Sequence, residues 1–122
     1  MTAKTAFVVE DNKDIAELYR TSLSMIGYEA ECVHDGKEAL DRLETVTPDL
    51  IILDMNLPHV SGHYLYQKIR ATSHLDDVPV IISTANMIAA ETLSGNLGKH
   101  DRLLVKPISP RQLHELIAKL TS

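Results

Sequence analysis

Cysteine is nearly absent from this chain: Cys32 stands alone among 122 residues, so no internal disulfide can hold the fold. Long apolar runs are absent too. None approaches the roughly 18 residues expected of a membrane span. The stretch after Met1-Thr2-Ala3-Lys4 meets Glu10 and Asp11 before it could serve as a signal-peptide core. A reducing cytoplasm is the expected home, with no membrane partner. Basic residues are few, 12 Lys plus Arg against 17 Asp plus Glu, for a formal net charge of −5. Phosphate backbones call for a positive footprint, so direct nucleic-acid binding is not expected. No linker or low-complexity stretch divides the chain, and the six histidines share no spacing that would make a zinc site.

What the chain does have is short apolar runs alternating with amphipathic stretches, and 122 residues make one domain that buries about two thirds of the surface its unfolded chain exposes. The runs Ala6-Phe7-Val8-Val9, Leu50-Ile51-Ile52-Leu53, Pro79 to Ser83 and Leu103-Leu104-Val105 read as strands buried on both faces of a parallel sheet. Tyr28 to Val33, with Ala30 and Cys32 alternating against Glu29 and Glu31, reads as an edge strand. Ile15, Leu18, Tyr19, Ser22, Met25 and Ile26 predict a first helix stopped by Gly27. Asp35 and Glu38 open a second helix carrying Ala39, Leu40 and Leu43, and Ser61-Gly62 open a third with Leu65 and Ile69 inward. Within Asn86 to His100 a short or frayed fourth helix is expected, because Gly95 and Gly98 disfavour its continuation by up to ~1 kcal/mol each. Ser109-Pro110-Arg111-Gln112 supplies an N-cap, a proline at the first helical position and a capping-box glutamine for a last helix with Leu113, Leu116, Ile117 and Leu120 buried.

Charged residues stand at the ends of these strands. Glu10 and Asp11 follow the first run, Asp54 ends the third and Lys106 the last. Ligands of open parallel sheets bind outside the carboxyl ends of the strands, so these groups are expected to converge on one pocket. Three carboxylates held together repel one another. A divalent cation relieves that, and magnesium suits a site of few carboxylates, waters and a phosphate. An aspartate can also attack phosphorus to form an acyl phosphate if the incoming charge is neutralised from several sides, here by metal, Lys106 and the Thr84 hydroxyl.

The motifs Val9-Glu10-Asp11, Asp54-Met55-Asn56-Leu57-Pro58 with Gly62 beyond, Pro79-Val80-Ile81-Ile82-Ser83-Thr84-Ala85 and Lys106-Pro107 resemble the receiver domains of two-component response regulators. The match spans essentially the whole chain, as a single receiver domain over 1–122. The resemblance implies an α/β, flavodoxin-like, doubly wound five-stranded parallel sheet of order 2-1-3-4-5 with five helices. It implies that Asp54 is the phosphoacceptor and that Thr84 and Lys106 contact the phosphoryl oxygens. Mg2+ would be held by Glu10, acting mainly through bound water, by Asp11, by Asp54 and by the backbone carbonyl of Asn56. It further implies phosphorelay signal transduction: a histidine kinase or histidine phosphotransfer protein as donor, and an effector protein as recipient of the switched contacts. Such a chain is not an enzyme beyond catalysing its own phosphorylation and dephosphorylation.

Two features depart from the receiver pattern. Leu103 stands three before the lysine, where receivers carry Tyr or Phe as a switch, and 95–101 lacks the usual Ala-Gly-Ala character. No effector region follows Ser122 in the sequence, so a stand-alone, chemotaxis-regulator-like receiver is expected. A phosphatase of the haloacid dehalogenase type is the enzyme alternative; it would want Asp where Asn56 stands. A degenerate receiver that no longer answers to phosphate is the other. The histidines at 34, 59, 63, 74, 100 and 114 are expected to face solvent, with His59 near enough to Asp54 to border the pocket.

Overall fold

The computed structural model describes residues 3–85 and 97–121. Their elements alternate in chain order: β1 (Lys4–Val9), α1 (Lys13–Ser24), β2 (Tyr28–Val33), α2 (Gly36–Leu43), β3 (Leu50–Asp54), α3 (Gly62–Arg70), β4 (Val80–Thr84), β5 (Arg102–Val105) and α4 (Pro110–Thr121). The strands form one parallel sheet ordered β2-β1-β3-β4-β5, as expected. Four helices and a short 3-10 turn, Ser73–Leu75, are seen among the described residues. The expected fourth helix lies, for residues 86–96, outside them.

Helices cover both faces of the sheet, which explains why the strand sequences are apolar at successive positions. On one face Phe7, Val9, Ile51, Leu53 and Ile82 pack with Ala39 and Leu43 of α2 and Leu65 and Ile69 of α3. On the other, Ala6, Val8, Leu50, Ile52 and Ile81 pack with Tyr19 and Leu23 of α1 and Leu113 and Ile117 of α4. Fully burying one such aliphatic side chain contributes about 1.5–3 kcal/mol, so Ile52→Ala at the centre would cost on the order of 2–5 kcal/mol.

The helix signals in the sequence correspond to real caps. Asp35 accepts from the Glu38 N–H at 2.8 Å, and Ser61 Oγ from the Tyr64 N–H at 3.1 Å. Ser109 and Gln112 form a complete capping box, with Gln112 N donating to Ser109 Oγ and Ser109 N to Gln112 Oε1. Gly27 ends the turn after α1 at φ 88°, a conformation that costs glycine little. The buried stripe of α1 differs from the expected one: Ala16, Tyr19, Ser22 and Leu23 face inward, while Leu18 and Met25 are exposed. At about 100° of rotation per residue, Leu18 lies a quarter turn or more from Tyr19, and Met25 falls on the far side from Leu23.

Candidate functional site at the carboxyl ends of the strands

β1 and β3 are adjacent, with Val9 paired to Leu53. The residues after that rung, Glu10 and Asp54, therefore leave the sheet side by side. Carboxylate oxygens of Glu10, Asp11 and Asp54 lie within 4.8 Å of one another. β5 brings in Lys106, whose Nζ is 2.8 Å from Glu10 Oε1 and 3.4 Å from Asp54 Oδ1. Glu10, Asp54 and Thr84 are buried, whereas Asp11 is exposed at the mouth. Glu10, Asp11, Asp54 and Lys106 thus come together, and Asn56 donates its backbone N–H to Asp54 Oδ1 at 3.1 Å.

Local structure explains how these side chains are held. Asn12 caps α1 through Oδ1, accepting from the Asp14 and Ile15 N–H groups, while its own N–H donates to Glu10 Oε2 at 3.2 Å. Both oxygens of Glu10 are thereby occupied, one by Asn12 and one by Lys106. Gly62 begins α3 directly over Asp54: a Cβ there would lie 2.5 Å from the Asp54 carbonyl oxygen and 2.5 Å from Met55 Cα. Only glycine lets the helix approach the strand end this closely.

Electrostatics follow from burial and crowding. Burial pushes the Glu10 carboxyl up to about 7, and the hydrogen bond and charge of Asp54 add to that rise against the pull of Lys106 and Asn12. For Lys106, burial acts downward, but its hydrogen bond to Glu10 and the charges of Asp54 and Glu10 outweigh it, so the ammonium is held above its ordinary value. Three carboxylates against one ammonium leave an excess of negative charge. Hard oxygen donors on a partly exposed cluster with such an excess suit a small divalent cation.

Comparison with known proteins agrees with this geometry. The response regulator receiver domain profile matches residues 6–118. The chain belongs to the response regulator receiver family. It is 36% identical over 113 residues to Response regulator MprA of Mycobacterium avium, a match covering 93% of this chain and 47% of that protein. This receiver chain thus spans about half the length of the curated relatives it matches. Chemotaxis response regulator CheY4 of Vibrio cholerae superposes with a TM-score of 0.86 at 27% identity, covering 98% of this chain and 99% of that one. The receiver domain of sensor histidine kinase PA1611 from Pseudomonas aeruginosa superposes equally well, TM-score 0.86 at 28% identity over 99% and 100% of the two chains; that structure has a magnesium ion coordinated in its active site cleft.

Several residues depart from the sequence reading. His34 and His114 are half-buried instead of facing solvent, while His74 is exposed as expected; each puts a ring nitrogen on a backbone carbonyl, of Glu10 at 3.0 Å, Ser22 at 2.7 Å and Leu43 at 2.8 Å respectively. His59 is exposed, stands at φ 69°, and makes no side-chain hydrogen bond among the described residues. Leu103 packs half-buried against the α2 and α3 side of the core. Asp101, which the sequence reading passed over, is buried and organises the start of β5: Tyr66 Oη donates to Oδ2, Val80 N to Oδ1 at 2.9 Å, and Arg70 Nε lies 3.5 Å away. Only its place before an apolar run could have flagged it, and an acid between His100 and Arg102 reads as a surface residue.

Proposed function

We propose that this chain is a phosphorelay receiver that accepts a phosphoryl group onto Asp54 from a histidine kinase or phosphotransfer protein in the cytoplasm. The observation that carries the proposal is the convergence of Glu10, Asp11 and Asp54 with Lys106 bonded to two of them. In the transfer, an Asp54 carboxylate oxygen attacks phosphorus, the donor's P–N bond breaks, and the imidazole leaves with its electron pair. Lys106, already 3.4 Å from Asp54, offsets the charge that arrives with the phosphoryl oxygens. Thr84, buried at the end of β4, supplies a hydroxyl to one of them.

Asp11, Asp54 and the Asn56 carbonyl would hold Mg2+, with Glu10 acting through water because both its oxygens already accept hydrogen bonds. The metal, when bound, neutralises phosphoryl charge and orients the attack. A groove of about 320 Å3 beside Lys106, lined by Ile15, Leu18, Tyr19, Ala85, Pro107 and Ile108, suits an apolar face of the donor protein. Residues 1–122 act as one receiver domain whose phosphorylation switches contacts with an effector protein. The net charge is −5, and no described helix is long and apolar enough to cross a membrane.

Incubation with acetyl phosphate, with and without Mg2+, followed by intact-mass measurement, tests the reading. Wild type should gain one phosphoryl group only with the metal, and Asp54→Asn should gain none while keeping its circular dichroism. Labelling of the Asn variant would sink the assignment.

A further inference from the structure

Glu10, the residue just after β1, makes the last bond of the ladder with β2: its N–H donates to the Val33 carbonyl at 3.1 Å. In a parallel ladder the next rung would run from the Asp35 N–H to the Glu10 carbonyl. That rung is missing, because Asp35 has turned away to cap α2 with its side chain on the Glu38 N–H. The half-buried His34 ring fills the place, its Nδ1 lying 3.0 Å from the Glu10 carbonyl oxygen. A carbonyl only accepts, so Nδ1 carries the proton and donates it.

The consequence reaches the acids. The Glu10 carbonyl and the Asp11 N–H belong to one rigid peptide plane. Anchoring the oxygen fixes that plane, and with it the direction in which the Asp11 Cα and carboxylate leave the strand. Asn12 holds the following residue from the other side, through its N–H on Glu10 and its cap on α1. Asp11 itself is exposed, and no hydrogen bond orients its side chain among the described residues. Its position therefore depends on the peptide that His34 ties down.

We propose that His34 is a positioning residue for the metal pocket, holding the Glu10–Asp11 peptide so that Asp11 is presented to Mg2+. This rests on the reading of Glu10, Asp11 and Asp54 as the metal site. Partners that orient a ligand from behind change metal affinity by about 10- to 100-fold when removed. The amide nitrogen of asparagine can occupy the place of Nδ1, whereas leucine fills similar space without a donor.

The experiment is an Mg2+ titration followed by backbone amide NMR shifts on wild type, His34→Leu, His34→Asn and an Asp11→Ala control. Hydrogen exchange of the Asp11 and Asn12 amides in the metal-free proteins is measured alongside. His34→Leu is expected to weaken Mg2+ by about tenfold and to speed exchange at Asp11 and Asn12, and His34→Asn to restore both. Should His34→Leu fail to fold, His34→Ala against His34→Asn makes the same comparison. Unchanged affinity in the donor-less variant, or equal loss in the asparagine variant, would overturn the role of His34 and leave the metal site standing. A wild type that binds no Mg2+, or binds it as tightly as Asp11→Ala does, would remove the metal-site reading and this inference with it.

Discussion

His59 is the centre of a tight γ-turn, with φ 69° and the Val60 N–H donating to the Pro58 carbonyl at 2.7 Å. A side chain in that region of backbone space is strained, by about 1 kcal/mol or more, and the exposed imidazole makes no hydrogen bond in return among the described residues. His59→Gly is therefore expected to raise stability by up to about 1 kcal/mol in urea unfolding, and to leave the lifetime of the phosphorylated protein unchanged. A longer lifetime in that variant would make the histidine a base for the attacking water. Glu10 provides the second test at this scale. Burial first, then Asp54, raises its carboxyl from an ordinary 4.5 to about 7, so over that interval the native state holds a proton that the unfolded chain releases. Its contribution to stability is fully present below 4.5 and is lost as pH rises through about 7. In the absence of metal, the stability of wild type relative to Glu10→Gln should fall between these values; a flat difference would show that Glu10 ionises as it does in the unfolded chain.

Among the elements, β5 depends most on side chains outside the sheet. It is a four-residue edge strand, and Asp101 at its start is tied to Tyr66 of α3, to the Val80 N–H of β4 and to Arg70. Tyr66 Oη also accepts from the Gly98 N–H at 2.8 Å, so one phenol clamps the connection entering β5 from two sides. Because Lys106 directly follows β5, this clamp at the far end of the strand helps set where the ammonium emerges. Asp101→Ala leaves a buried phenol and a buried amide without their acceptor and removes the counter-charge beside Arg70, and should cost about 3 kcal/mol. Tyr66→Phe should cost about 2 kcal/mol, and the double variant less than the sum, because both changes break the Tyr66–Asp101 hydrogen bond. Additive losses in denaturant unfolding would separate the two. At the opposite end of the sheet, Gly62→Ala should be destabilising and should slow labelling of Asp54, since the added methyl meets backbone that cannot yield without moving the strand end.

For the whole molecule, the pocket stores repulsion that a cation relieves. Mg2+ at ten times its dissociation constant should therefore stabilise the wild type by about 1.4 kcal/mol, and Asp11→Ala by much less. Thermal unfolding with and without the metal measures this, and equal shifts would put the metal elsewhere. Most of the architecture was legible because four of the strands are short apolar runs, β2 alternates as an edge strand does, and three helix starts are signalled by capping residues, Asp35, Ser61 and Ser109. The site was legible for a related reason: Glu10, Asp11, Asp54 and Lys106 stand at the ends of those runs, and strands that run parallel deliver their ends to one edge.

The sequence by itself determined the alternation of strands and helices, the burial of both sheet faces, and the gathering of three acids and one lysine at the carboxyl ends, because these follow from local patterning. Only the tertiary structure decided what depends on pairs distant along the chain. It turned Leu18 and Met25 outward, because the face of α1 is chosen by what it packs against. It buried Asp101, because Tyr66 and the Val80 amide approach from other elements. It set His34 on the Glu10 carbonyl, because the ladder between β1 and β2 ends one rung short and a side chain replaces the backbone donor. A lone polar residue in sequence does not reveal its acceptor; folding brings the two together.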